Sequence, residues 1–557
     1  MPYRTLAQRV GNAVRLAEVV QVLVRHGFAD LVRRLGLHEG LPAKVLHSLR
    51  LIEANSAPPE TIGARLREAL MELGPTFVKF GQILSTRPDI IGPQISGELS
   101  QLQDRVTALS FADMRLVIEK ELGGPVSSLF AEFEETPVAA ASLSQVYRAR
   151  TKEGHPVAVK VQRPGARKVI ESDLSLLMGI AEWVGEHVSD VKWMNPAGMV
   201  GEFERSIKRE LDFTIEARTI DRFRENFGAT ETVFVPLVYD ALSSARVLTM
   251  DWIDGVRIDD VSQYAERNCD PKTIAAIGCD VLCKQVFEYH LFHADPHPGN
   301  VMVTCNNQIA FLDYGMVGHL EKHDVHTMAD LLHAVFNEDS ARCVQALLAF
   351  TTTGDAPDER ALEHEIAQYL AFEAQAVLGK ADIGRALEQI TGILQRHQLQ
   401  LAPRFSLLLK SLATIESTAR VLDTEADMVP VIRPYVERMV LNRFAPQNLA
   451  LEGQQGLASA MRMFREMPTD LRHIVRMIRT GKLRLQMTHE GFETLANVLD
   501  RASNRIAFSV IAGSLVVGSS LLLSTEAGAK TLGLAGFMIA AALGLGLLIS
   551  IIRSKNY

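Results

Sequence analysis

His293-Ala294-Asp295-Pro296-His297-Pro298-Gly299-Asn300, with Phe311-Leu312-Asp313-Tyr314-Gly315 close behind it, decides how the rest of the chain is read. An Asp stands five residues before an Asn, and an Asp-x-Gly follows a short apolar run, Gln308 to Leu312, that reads as a strand. Kinase-type phosphoryl transfer uses this order: one Asp handles the nucleophile, and an Asn and a second Asp hold magnesium against the phosphates. Alone, Asp-x-x-x-x-Asn is met by chance in surface turns. Here the Asp-x-Gly lies at the right distance, and a Val-Ala-Val-Lys lies far upstream.

Working outward, His155-Pro156-Val157-Ala158-Val159-Lys160-Val161 follows a turn at Gly154, and its alternation and β-branched residues mark a strand. A kinase places the lysine that meets the α/β-phosphates on such a strand. Phe133 to Tyr147 reads as a hairpin whose middle is small: Ala139, Ala140, Ala141 and Ser142. Small residues let backbone N–H groups approach phosphate oxygens. Alanine resists φ > 0, so the loop should be stiffer than a glycine-rich one. Lys160 needs a carboxylate to hold it, and the candidates are Glu204, Glu210, Asp212 and Glu216 on the next long helical segment. Val247 to Gly255, which includes Met250, reads as a strand leading into a turn, and in a two-lobed kinase the backbone of this strand meets the nucleotide base. Phe77 to Asp89 reads as a helix with Lys79 and Gln82 three apart on one face. From composition that pair reads as two solvated residues.

The chain has 557 residues, too many for one ordinary core, and its net charge of −8 argues against nucleic acid as a partner. The five cysteines form no CxxC pair; Cys279 and Cys283, one helical turn apart, read as buried free thiols suited to a reducing compartment. No signal peptide is expected. Residues 1 to about 50 read as helical, with arginines interleaved among apolar residues, and two readings stay open: a helix on an anionic membrane surface, or one packed on the protein body. The same two readings stay open for the basic stretch Met461 to Leu485. Ile506 to Leu523 and Thr531 to Ile552 are apolar and of about membrane-spanning length. Arg501 and Arg505 precede them and Arg553 and Lys555 follow. The expectation is a transmembrane helical hairpin with both ends in the cytoplasm, Lys530 in the joining loop being a small contrary charge.

Taken together, Lys79-Phe80-Gly81-Gln82, Ala139-Ala140-Ala141-Ser142, Val157-Ala158-Val159-Lys160, Glu210-Leu211-Asp212, His293 to Asn300 and Leu312-Asp313-Tyr314-Gly315 resemble the UbiB family of atypical kinase-like proteins, over roughly residues 60 to 330. The resemblance implies an α+β, two-lobed protein-kinase-like fold with added N-terminal helices. The expected division is an N-terminal helical segment to 60, a Lys79-bearing extension at 61–125 and an N-lobe at 126–255. A mostly helical C-lobe at 256–450, a basic linker at 451–500 and the hairpin at 501–557 complete it. ATP and Mg²⁺ are the implied cofactors. Lys160 would contact the phosphates and pair with Glu216, Asp295 would be the catalytic-loop Asp, and Asn300 and Asp313 would hold magnesium. Lys79 and Gln82 would cover the acceptor side and meet Glu210 and Asp212; the alanine loop would set nucleotide preference. Tyr314 departs from the usual Asp-x-Gly in bulk without removing a metal ligand. The implied activity is ATP hydrolysis in support of ubiquinone biosynthesis at the bacterial inner membrane. Anionic phospholipid, quinone precursors and quinone-biosynthesis enzymes are the implied partners, and a homodimer is left open. A nucleotide-switched scaffold or a small-molecule or prenyl-lipid kinase are the alternatives.

Overall fold

The sheet that carries Lys160 is built from five antiparallel strands: β1 (Glu132–Phe133), β2 (Ala139–Ala140), β3 (Ser144–Arg150), β4 (Pro156–Gln162) and β6 (Val247–Asp251), with β5 (Val233–Phe234) lying elsewhere. The order is β1-β3-β4-β6, and β2 also pairs with β3. Side chains alternate across a strand. Val157, Val159 and Val161 therefore share one face, buried with Tyr147, Val247 and the helix Phe111–Leu122, while Ala158 and Lys160 take the other. In register, Lys160 stands between Val146 on β3 and Leu248 on β6. Gly154 makes the β3–β4 turn at φ 90°, where an L side chain would be strained. The computed structural model describes residues 13–34, 61–102, 107–228, 230–352, 358–374, 383–423, 429–443, 492–523 and 530–553. The basic stretch Met461 to Leu485 lies outside them.

Helices that pack on one another, and on Leu143 just before β3, form a cover. They include α1 (Ala13–Arg25), α2 (Pro75–Leu84), α3 (Ala166–His187) and α4 (Pro196–Glu210), followed at once by α5 (Phe213–Phe227). Leu16, Val19 and Val20 of α1 pack with Phe77 and Val78 of α2, Leu174 and Leu177 of α3, and Phe203 and Ile207 of α4. Leu143, from the alanine-rich turn, joins the same core. The arginines of α1 are engaged by the protein: Arg15 Nε donates to Asp173 at 2.9 Å, and Arg25 pairs with Glu72. For its described part, the N-terminal segment is thus a helix on the protein body, because its apolar face is already covered. Gly81 has a packing reason; a Cβ there would collide with Leu70 and Leu102.

The C-terminal half of the first unit (Met1–Leu449) holds a four-stranded sheet, β5-β10-β9-β7, and a pair, β8–β11. These are β7 (Val256–Arg257), β8 (Leu291–His293), β9 (Val301–Val303), β10 (Ile309–Phe311) and β11 (Val317–His319). Around them pack α6 (Pro271–Cys283), α7 (Pro403–Leu422) and α5, whose Phe213, Ile220, Phe223 and Phe227 are buried with Val303, Ile309 and Phe311. The cysteines are free, with Cys279 and Cys283 buried as expected; burial pushes the Cys279 thiol up to about 12, so it is inert at neutral pH.

The second unit (Ala450–Tyr557) shows α8 (Phe492–Leu523) and α9 (Lys530–Arg553) packed on each other, with Gly536 against Ser519 and Leu515. Among the described residues no helix is long and apolar enough to cross a membrane. The expected transmembrane hairpin is therefore met as two helices and not as membrane spans.

A buried clamp fastens the cover to the helical half. Arg87 donates to Asp89 through Nε (3.1 Å) and Nη2 (2.9 Å), and Nη2 also reaches the Leu401 carbonyl at 3.1 Å. Asp89, fully buried, accepts the Leu401 N–H at 2.9 Å. Removing one partner leaves a buried charge uncompensated. Arg87→Ala should therefore lower unfolding stability by roughly 3–5 kcal/mol, read as a lower urea midpoint. Arg33→Ala, at an exposed pair with Asp30, should leave the midpoint essentially unchanged, because solvent screens the pair.

Candidate phosphoryl-transfer site

Chain geometry sorts the four candidate carboxylates. Helix α4 starts at an Asn195 N-cap with Pro196 at its first turn and stops at Glu210; Asp212 then caps α5, its Oδ1 accepting from Thr214 N (3.1 Å) and Thr214 Oγ1 (2.7 Å). Glu216 falls in the first turn of α5, 5 % exposed, and takes Lys160 Nζ on both oxygens at 2.8 and 2.9 Å. Glu210 ends α4 and pairs with Lys79 Nζ at 2.7 Å. Glu204 pairs with Lys208 on the surface. Of the two carboxylates expected to meet Lys79, Glu210 holds the ammonium, and Asp212 caps α5.

Lys160 also reaches Asp313 Oδ1 at 3.2 Å, so one ammonium serves two carboxylates. Burial pushes Glu216 up to about 7, with the Asp313 charge adding and Lys160 opposing. Burial alone would raise Asp313 too, but Lys160, the Gly315 N–H and the nearby Lys79 hold it well below the usual carboxylate range. Gly315 N donates to Asp313 Oδ1 at 3.0 Å, and Tyr314 N to Glu216 Oε1 at 3.3 Å. The bulky Tyr314 is fully buried, edge-on to Phe223 at 5.2 Å. It wedges the Asp-x-Gly onto α5, which fixes Glu216 and Asp313 relative to each other.

The loop between β8 and β9 presents Asp295 and Asn300. His293 Nδ1 accepts the Asp295 N–H (3.1 Å), so Nε2 carries the proton and donates to the Asp313 carbonyl (2.5 Å). Burial keeps this imidazole below its ordinary pKa, hence neutral. Gln285, on a wider turn (Lys284–Glu288) that continues α6, accepts the His293 N–H at 2.8 Å. Asn300 Nδ2 donates to the Asp295 carbonyl at 3.2 Å, leaving its own carbonyl oxygen for a cation, and Leu312 N donates to Asn300 O at 2.9 Å. One carboxylate and one amide oxygen suit Mg²⁺, which takes few protein ligands and completes its shell with phosphates and water. Among the described residues no group of three or more His, Cys, Asp or Glu is placed to hold a metal by itself, so the nucleotide's phosphates would complete such a site.

Other expected residues lie as follows. Ala139 and Ala140 form β2, and Ala141 N donates to Ser144 O across the turn that contains Ser142. Met250 is buried in β6 between Ala158 and Val238, its backbone flanked on both sides. Gln82 donates to the Leu102 carbonyl at 3.1 Å; it ties α2 to the chain that follows the cover and does not join the carboxylates. A cavity lined in part by His293 and Pro296 is otherwise apolar apart from Gln285 and Thr418, and none of Lys160, Glu216, Asn300 or Asp313 lines it.

Sequence reasoning missed Lys410. Its Nζ lies 2.8 Å from Asp295 Oδ1, and its neighbour Ser411, fully buried, donates to the His293 carbonyl at 2.9 Å. The signal available was a lysine closing the apolar run Leu407-Leu408-Leu409.

A lysine pinned by a helix carboxylate and an Asp-x-Gly pinned to that same helix make this a protein-kinase-like fold, with an added N-terminal cover. The ABC1 atypical kinase-like domain matches residues 101–347, the UbiB helical domain 375–427 and the ABC1/UbiB kinase-like C-terminal domain 490–553. An uncharacterized protein in the hydrogenase 1 5′ region of Clostridium pasteurianum is 30% identical over 552 residues, 98% of this chain and 99% of that one. A probable protein kinase UbiB of Pseudomonas putida is 36% identical over 445 residues, 78% of this chain and 81% of its own. A solved structure, Rv3197 with erythromycin from Mycobacterium tuberculosis, aligns at 23% identity over 68% of this chain and 94% of that one, with TM-score 0.44. The chain belongs to the ABC1/UbiB family of atypical kinase-like proteins.

The raised Glu216 carboxyl has a stability consequence. Its folded value of about 7 stands above the reference 4.5, so the folded protein binds this proton more tightly than the unfolded chain. That contribution is complete below pH 4.5 and is lost as pH rises to about 7. Melting temperatures without nucleotide should show this decline between these limits, and Glu216→Gln should flatten it.

Proposed function

We propose that this protein binds and hydrolyses Mg-ATP, and that the cycle serves isoprenoid quinone biosynthesis, ubiquinone in the first instance, at the bacterial inner membrane. The observation that carries this reading is the Lys79–Glu210 pair at 2.7 Å, standing beside an otherwise complete Lys160, Glu216 and Asp313 set. A nucleotide-binding site is intact, while a cation bound to Glu210 occupies the side where a peptide acceptor would dock. Water then replaces a protein hydroxyl as the acceptor. Its oxygen bonds to the γ-phosphorus, the bond to the β–γ bridging oxygen breaks, and ADP, inorganic phosphate and a proton leave.

Within this reading Lys160 orients the α- and β-phosphates, released in part from Asp313 but still anchored by Glu216. Asp295 orients the attacking water, and the neutral His293 keeps the Asp295 loop and the Asp-x-Gly in register. Magnesium, held by Asn300, Asp313 and the phosphates, would offset the charge that develops on the leaving group. Names of relatives support the kinase-like part: "probable protein kinase UbiB" is printed for the Pseudomonas putida and Aliivibrio fischeri proteins. Quinone precursors and their enzymes as partners, and a cytoplasm-facing domain, extend the reading.

Purified full-length protein should show slow Mg²⁺-dependent ATP hydrolysis. Asp313→Asn should abolish Mg-dependent nucleotide binding, since it removes the metal ligand's charge. Lys79→Ala should keep nucleotide binding, gain or alter autophosphorylation, and fail to restore quinone in a deficient strain. Wild-type behaviour of Lys79→Ala in all three assays would overturn the proposed role of the cover.

Membrane association through α8 and α9 is supported by the row of apolar side chains they expose, among them Ile506, Val510, Val517, Leu521, Leu534 and Met538. The full chain should float with anionic phospholipid vesicles, and deletion of residues 500–557 should abolish the flotation. A full chain that stays behind when the vesicles float would overturn membrane association through α8 and α9.

A further inference from the structure

We infer that Lys410 contacts the terminal phosphoryl group of bound ATP, so that the helical region beyond the kinase-like domain supplies part of the phosphate-binding machinery. The inference rests on the nucleotide-binding reading above and adds to it a residue and a region.

The argument begins with charge. Asp295 lies beside Asn300, whose side-chain amide donates to the Asp295 carbonyl, and Asn300's own backbone carbonyl accepts the N–H of Leu312, the residue before Asp313. A carboxylate placed to orient the attacking water must stand close to the terminal phosphate, itself strongly anionic. Two like charges at that range repel unless a cation sits between or beside them. Asp295's own loop offers a poor one. His297 Nε2 is 3.8 Å from Asp295 Oδ2, its side chain is about half exposed, and its Nδ1 already accepts the Gly299 N–H at 3.0 Å. Lys410 supplies the charge from another part of the chain, at 2.8 Å from Asp295 Oδ1.

Placement supports the same conclusion. Lys410 sits on α7, inside the stretch 375–427 matched by the helical domain and outside the 101–347 match of the kinase-like domain. The helix is registered on the catalytic loop by its next residue, Ser411, through the His293 carbonyl, and at its start by Arg404 Nη2 to Asp324 Oδ1 at 2.9 Å. A lysine ammonium has three donors. One on Asp295 leaves two for phosphate oxygens, so the ion pair and the phosphate contact can coexist. The side chain is 23 % exposed, so it is open to a ligand.

The test compares binding of a triphosphate with that of a diphosphate, because only the triphosphate carries the group Lys410 would touch. Full-length protein is titrated calorimetrically with Mg-ADP and with the magnesium complex of the β,γ-imido analogue of ATP. Lys410→Met, and Lys410→Gln as a second neutral variant, should weaken the analogue about tenfold and Mg-ADP less than twofold; Lys410→Arg should recover most of the loss. A strut that only shapes the loop would weaken both nucleotides alike or neither, and either result overturns the inference. ATP turnover of the wild type is measured alongside. Turnover with an unchanged triphosphate preference in Lys410→Met would sink Lys410 and leave the proposed hydrolysis standing. No turnover, with the preference lost in Lys410→Met, would sink the hydrolysis and leave Lys410 standing. A wild type that binds neither nucleotide would overturn both.

Discussion

Everything at the centre of this protein answers to one buried ammonium. Lys160 sits on an interior strand, where desolvation disfavours its charge, and the structure restores that charge with Glu216 and Asp313. Burial raises the proton affinity of Glu216, and the second carboxylate on the same cation, Asp313, adds to it. The constraint then spreads. Glu216 must be presented by α5, which must be capped by Asp212 and packed through Phe213, Phe223 and Phe227. Asp313 must stay in register, which Tyr314 and His293 secure from two sides.

Much of this was legible in the sequence, for physical reasons. The β4 alternation, the Gly154 turn and the residue order from Asp295 to Gly315 are local patterns, and local patterns survive folding. Residue pattern alone could not say which carboxylate meets which lysine; the family resemblance put Glu216 with Lys160 and Glu210 with Lys79, and the structure places them so. Glu204, Glu210, Asp212 and Glu216 all lie within a few turns, and only the break between α4 and α5 at Leu211 separates their fates. Asp212 went to a helix cap because the first N–H groups of α5 have no intrahelical acceptor, and its carboxylate accepts from Thr214 N. Gln82 went to the Leu102 carbonyl, a partner with no sequence signature. Lys410 stayed hidden because its carboxylate, Asp295, is more than a hundred residues away and nothing in a helical pattern marks a charge for a distant loop.

Amphipathic helices were the other ambiguity. A basic helix with an apolar stripe fits a lipid surface or a protein surface equally well, and the decision depends on what else is available to cover the stripe. For α1 the stripe meets α2 and α3, and Asp173 takes the arginine. No comparable partner covers the apolar residues that α8 and α9 expose among the described residues.

The Arg87–Asp89 clamp has a consequence in time. Its partner on the other side, Leu401, is 314 residues further along the chain. At a synthesis rate of about 5–20 residues per second, that interval is roughly 15 to 60 s. Throughout it, Lys160, Glu216 and the Asp295–Asn300 loop emerge in turn, and the segment that carries Lys79 can already pack on α3 and α4 and pair with Glu210. What it lacks is the anchor to Leu401, and the Arg87–Asp89 pair stands without that backbone until then. The clamp is completed only once the helical region has been made.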